Sequence, residues 1–196
     1  MTLVSKIITT LTCVALTMCV ALDSQAQRKK KGPDPSQSAT VSQTIGTDNL
    51  ITISYHRPGV KGRDVWTEKS DNPQIGPLVP KNGDPRPWRA GANESTSFVV
   101  AQDVKVEGKD LPAGTYSLFM IPTDDKWTVV INKEVKWGSF MYKAENDVLR
   151  VDVTPEAAPH QEWLVYGFDD PSAHSTTAFL RWEKVKVSFK ITTDEK

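Results

Sequence analysis

The side chains best suited to chemistry fall in two short strings of this 196-residue chain. The first, Tyr55-His56-Arg57-Pro58-Gly59-Val60-Lys61-Gly62-Arg63, carries Arg57, Lys61 and Arg63. The second, Trp88-Arg89-Ala90-Gly91-Ala92-Asn93-Glu94-Ser95-Thr96, carries Trp88, Arg89, Asn93 and Glu94. A guanidinium fork beside an amide suits carboxylate, phosphate or sugar hydroxyls, which makes a small molecule or a glycan the matching ligand class. Trp66 and Trp88 would give such a ligand an apolar or stacking wall. The same residues have a purely structural reading: Arg89 or Arg57 pairs with Glu94 beneath the loop, and Asn93 bonds the backbone of a turn. The tryptophans divide likewise between sugar stacking and core packing, with core packing the stronger expectation.

Other chemistries find less support. His56, His160 and His174 show none of the tight spacings by which metal ligands come together, and no metal site is expected. No Gly-x-Ser-x-Gly elbow accompanies them, and Ser139 has no recognisable partner for a serine hydrolase. Asp124-Asp125 and Asp169-Asp170 have the oxygens calcium takes, but each sits in a turn where Asp caps backbone. A glycosidase needs two carboxylates about 5–9.5 Å apart, and Glu94 has no obvious second. No cofactor is implied. The favoured function is a non-catalytic binding or structural module. The alternative is an extracytoplasmic hydrolase of a glycan or ester with Glu94 as acid/base.

Strands must position these residues. Apolar and polar residues alternate with period two in 50–55 (LITISY), 148–153 (VLRVDV) and 184–191 (KVKVSFKI). In the last, Val185, Val187, Phe189 and Ile191 face in and the lysines face out. Similar runs occupy 39–45, 97–101, 104–107, 115–121, 127–132, 162–168 and 175–182, separated by Gly, Pro, Asn and Asp turns. This predicts an all-β fold, an antiparallel β-sandwich (jelly-roll-like or similar) of about ten short strands. Only 135–147 has room for a helical turn. The 57–94 segment holds six prolines and five glycines and cannot be regular sheet throughout, so it reads as one long irregular loop.

Residues 1–26 read as a secretory signal: Lys6 leads, 7–22 is apolar, and Ser24 and Ala26 precede a cut before Gln27. The apolar stretch is short for a spanning helix and holds four threonines. Cys13 and Cys19 both fall inside it, so the processed chain has no thiol and no cysteine chemistry. Residues 27–38 (QRKKKGPDPSQS) lack apolar side chains and read as a disordered polar leader. A single domain then spans 39–191, with 192–196 as a tail. Lys+Arg and Asp+Glu number 24 each, which argues against nucleic acid or an anionic membrane as partner. The expected location is periplasmic or extracellular, with no membrane attachment after cleavage.

The two strings above, with Leu111-Pro112-Ala113-Gly114-Thr115-Tyr116-Ser117-Leu118-Phe119, Trp127-Thr128-Val129-Val130-Ile131-Asn132-Lys133 and Trp182-Glu183-Lys184, resemble the domain of unknown function 2911 family. The likeness runs over 39–191 in the family's order. It implies a secreted or periplasmic bacterial single-domain protein and no activity. This chain departs from the pattern at 66–81, which looks longer than usual, and at His56, where a small polar residue is typical.

Overall fold

A computed structural model of the chain describes residues 36–66, 87–123, 125–135 and 142–194. The signal (1–26), the leader up to 35 with its Arg28–Lys31 basic run, most of the 66–81 stretch, Asp124 and Ser139 lie outside the described residues.

Among the described residues, ten strands form two antiparallel sheets. The first holds β1 (Ser38–Ile45), β2 (Asn49–His56), β3 (Thr96–Val100), β6 (Gly114–Ile121), β7 (Trp127–Asn132) and β8 (Asp147–Val153), side by side in that order. The second runs β5 (Lys109–Leu111), β4 (Val104–Val106), β10 (Ser175–Thr192) and β9 (Pro155–Asp169). The sheets do not close into a barrel, and the architecture is a β-sandwich.

Alternation places the core. Ile51, Ile53 and Tyr55 of β2, Leu149, Val151 and Val153 of β8, and Val187, Phe189 and Ile191 of β10 point into one buried layer. Four tryptophans meet within it. Trp88 stacks on Trp182 at 5.7 Å between ring centroids, and Trp66 meets Trp88, Trp127 and Trp182 edge-on at 6.0, 5.0 and 5.5 Å. Edge-to-face and offset contacts of this kind add to area burial by ~0.5–1.5 kcal/mol per pair.

Three strand assignments differ from the sequence reading. The run read as 162–168 is part of the 15-residue β9, which begins at Pro155, so this strand is not short. Runs 175–182 and 184–191 are one strand of 18 residues, not two. Inward residues are even-numbered up to Trp182 (Thr176, Ala178, Leu180) and odd-numbered from Val187 onward. The parity flips at Glu183, whose φ of 54° is left-handed, with register shifts on either side of it. A break in periodicity thus marks a bulge and not an end. The third difference is β5, whose Lys109 and Asp110 read as a turn. The turn is tighter, formed by left-handed Glu107 (φ 47°) and Gly108 (φ 77°), and Lys109 already pairs with Val106. The helical turn expected in 135–147 is a 3-10 turn at Ala144–Asn146.

Candidate functional site

The first motif string docks on one stretch of β9. Three β9 residues, 162–164, face the single residue Trp182 between the paired Arg181↔Val165 and Glu183↔Gln161. The extra residues turn backbone groups away from β10, and the chain leaving β2 takes them up. Leu164 N donates to Pro58 O at 3.0 Å and Val60 N to Glu162 O at 2.8 Å, with Gly59 opposite Trp163. Trp182 Nε1 donates to the same Glu162 carbonyl at 3.2 Å.

The cations of the first string serve this junction. Arg57 Nε donates to Leu164 O at 2.9 Å. Arg63 curls back on its own loop, its Nε donating to Val60 O at 3.0 Å and its Nη2 to Gly59 O. Lys61 and Gly62 turn the chain with φ of 51° and 69°. The Lys61 amide donates to Glu162 Oε1 at 2.8 Å, and its exposed ammonium stands 5.6 Å from the centre of the Trp163 ring. Gly59 fits closely: a Cβ there would lie 3.1 Å from Trp163 Cζ3 and 3.2 Å from Glu162 Oε1, so those side chains would have to give by a few tenths of an ångström.

The second string is fastened to the core. Trp88 and Met120 exchange two backbone hydrogen bonds of 2.8 Å. The Trp88 indole N–H donates to Gly91 O at 3.2 Å. Ala90 is left-handed (φ 47°), and its buried carbonyl accepts from Thr96 Oγ1 at 3.1 Å and Tyr166 Oη at 2.9 Å. Burial holds the Tyr166 phenol well above the usual tyrosine range, so it is a neutral donor there. Asn93 is also left-handed (φ 57°), a conformation Asn tolerates in turns.

The sequence candidates therefore separate. Arg57, Lys61 and Arg63 gather at the β9 bulge. Trp88 is 4 % exposed and belongs to the four-tryptophan core, so it offers no stacking wall. Arg89 is half-buried: desolvation lowers its pKa and the nearby Glu94 charge works the other way. Glu94 does not pair with Arg57. It meets His56, Nδ1 to Oε2 at 3.2 Å, with the Glu94 side chain 54 % exposed. Sequence reasoning placed none of Glu162, Trp163 and His160 at a binding site, and weighed His160 only as a metal ligand or triad histidine. Trp163 lies within a strand-like run yet is 39 % exposed, because the bulge turns it outward. His160 sits between Glu162 (3.4 Å) and Glu183 (3.8 Å). No composition signal foretells a bulge of this kind.

Elsewhere, a cleft of about 150 Å³ is lined by Asp103, Lys105, Asp110 and Asp194 among others, and contains none of these candidates. Lys105 bridges Asp110 and Asp194 there at 3.2 and 2.7 Å.

Residues 36–191 match the model of a family described as Protein of unknown function (DUF2911). No match to the chain is found among curated proteins or solved structures.

Proposed function

The chain belongs to the DUF2911 family, and from that premise we propose that it is an exported module that binds without catalysing. In this reading its two motif loops form a rigid mount, and the ligand is a small molecule or glycan. The observation that carries this reading is where the guanidinium groups go. Arg57 and Arg63 spend donors on the carbonyls of Leu164, Val60 and Gly59, so they build the loop. What the mount presents outward is Lys61 and Trp163, a cation over a partly exposed indole, with Glu162 and His160 alongside. A flat ring with a polar rim suits a sugar face or a small polar ligand. Export rests on the signal-like residues 1–26.

Urea unfolding separates the mount from what it displays. Arg57→Ala and Arg63→Ala should each lose ~1.5–3 kcal/mol, the usual worth of hydrogen bonds from charged donors. Lys61→Gln should stay within about 0.5 kcal/mol of wild type. Arginine variants as stable as wild type would mean that these groups do not hold the loop, and the mount reading falls.

A second reading has one observation in its favour. His56 and Glu94 form a half-exposed imidazole–carboxylate couple, the kind of pair that moves protons in a hydrolase. Turnover of a fluorogenic glycoside or ester that is lost in Glu94→Gln would establish it over the module.

A further inference from the structure

Four strands end the two sheets: β1 and β8 in one, β5 and β9 in the other. An edge strand presents unpaired backbone donors and acceptors, and proteins guard such edges with prolines, charges, bulges, short length or a covering segment. Three of the four edges are guarded in this way. β9 carries Pro155 and Pro159, is bulged, and is covered at its centre by the 58–60 backbone. β5 has three residues, two of them charged. β8 holds Asp147, Arg150 and Asp152, and Lys109 Nζ caps its Arg150 carbonyl at 2.8 Å.

Among the described residues β1 has no proline, charge, bulge or covering strand, and its one comparable feature is Gln43 Nε2 donating to its own Thr44 carbonyl at 2.9 Å. Its eight residues, SATVSQTI, include no charge and no proline, and its pairing with β2 runs unbroken from Ser38↔His56 to Ile45↔Asn49. Among the described residues no strand lies on its outer side. The core is also incomplete there. Ala39 and Val41 are only partly buried, whereas Ile51 and Ile53 on the adjoining β2 are fully buried.

We propose that β1 is a self-association edge, pairing antiparallel with β1 of a second copy about a two-fold axis to join two six-stranded sheets. Three features select a second copy over other occupants. An uncharged strand meets its own mate without like-charge repulsion. The exposed row Thr40, Ser42 and Thr44 is a hydroxyl ladder, and β1 already uses it toward β2 (Thr40–Ser54 3.0 Å, Ser42–Thr52 2.9 Å). The same cross-strand chemistry is repeated when β1 faces β1. The chain's own leader is a poor covering strand, because 27–37 contains four consecutive cations and two prolines that lack an N–H. The contact is isologous and closes at two copies. One strand pair gives a small interface, below about 1,200 Å², so the dimer is weak and concentration-dependent.

Sedimentation equilibrium of the mature chain, from micromolar to millimolar, tests this. The expected result is a monomer–dimer equilibrium. The triple variant T40K/S42K/T44K places like charges across the two-fold and should raise the dimer dissociation constant by ~tenfold or more. All three positions are exposed, so its urea midpoint reports whether the fold is kept. Hydrogen exchange on wild type is an independent readout: β1 amides should gain protection as concentration rises, while those of β8 should not. Three results overturn the proposal: a wild type monomeric to millimolar concentration, a dimer unchanged in the folded triple variant, or dimers appearing only after residues 27–35 are removed. The last would make the leader the native cover.

Discussion

Tyr142 ties together a polar network on the outer face of the six-stranded sheet. Its phenol donates to Asp147 Oδ2 at 2.6 Å and accepts from Arg150 Nη2, while Arg150 Nε reaches the same oxygen at 2.7 Å. Asn132 Nδ2 supplies the other carboxylate oxygen at 2.8 Å. Burial first, and then the Asp147 carboxylate, push Tyr142 up to about 12. In the unfolded chain the phenol titrates near ~10, so between those values the folded state keeps a proton that the unfolded state has lost. The stabilisation is therefore complete below pH ~10 and drains away as pH rises toward ~12. Allowing for solvent screening of a partly exposed group, we expect this residue to cost on the order of 1 kcal/mol across that window. Urea midpoints taken on both sides of pH ~10 should fall in wild type and fall less steeply in Tyr142→Phe. A slope no shallower in Tyr142→Phe than in wild type would show that the folded state does not hold the proton of this phenol. Tyr116 and Tyr166 shift in the same direction, chiefly through burial, so part of the slope survives in the variant. At this scale the sequence exposes types and hides partners. Arg57, Arg63 and Glu94 were legible as polar residues beside an irregular loop. The acceptor of Arg57 was not, because it is a backbone carbonyl 107 residues away, bared by a bulge.

Among the elements, the β9 bulge and the 88–94 loop decide the geometry of the site, and Gly91 is the position where that geometry is tightest. A Cβ on Gly91 would fall 2.8 Å from Thr96 Oγ1 and 3.2 Å from the His56 carbonyl. Thr96 is fully buried and its hydroxyl donates to Ala90 O, so it moves only by giving up that bond. We expect Gly91→Ala to lose ~1–3 kcal/mol, the cost of overpacking plus an unmade buried hydrogen bond. Thermal or urea unfolding of the variant measures it, and a neutral result would mean that the 88–94 loop is free to shift. The strands themselves were largely legible, since period-two alternation is a direct image of burial. Run 127–132 was read to the residue, and 50–55 and 148–153 to within one residue at each end. Alternation failed where backbone and side-chain periods part company. Glu183 inserts a half-step without ending β10, and β5 buries only Leu111 of its three residues. The pairing order across the sandwich was not legible, because every buried face in this fold carries the same Val, Ile, Leu and aromatic set.

For the molecule as a whole, the charge balance bears on the self-association we propose, and the cysteine positions on the export we propose. Equal numbers of basic and acidic residues give a formal net charge of zero, a condition that leaves self-association unopposed by long-range repulsion and suits a neutral β1 contact. The two cysteines, Cys13 and Cys19, both lie in the stretch we propose is removed on export. If cleavage falls before Gln27, the mature chain is thiol-free and folds through the core alone, which 170 residues permit. Two measurements on protein expressed from the full sequence in a Gram-negative host follow. Intact mass and N-terminal sequencing of the extracytoplasmic fraction should find a chain that begins at Gln27. Its unfolding midpoint should be the same with and without a reductant, because no disulfide can contribute. Recovery of an uncleaved chain in the cytoplasm would remove the export reading. It would leave the sandwich and its loop mount standing, since the contacts that define them lie among residues 36–194.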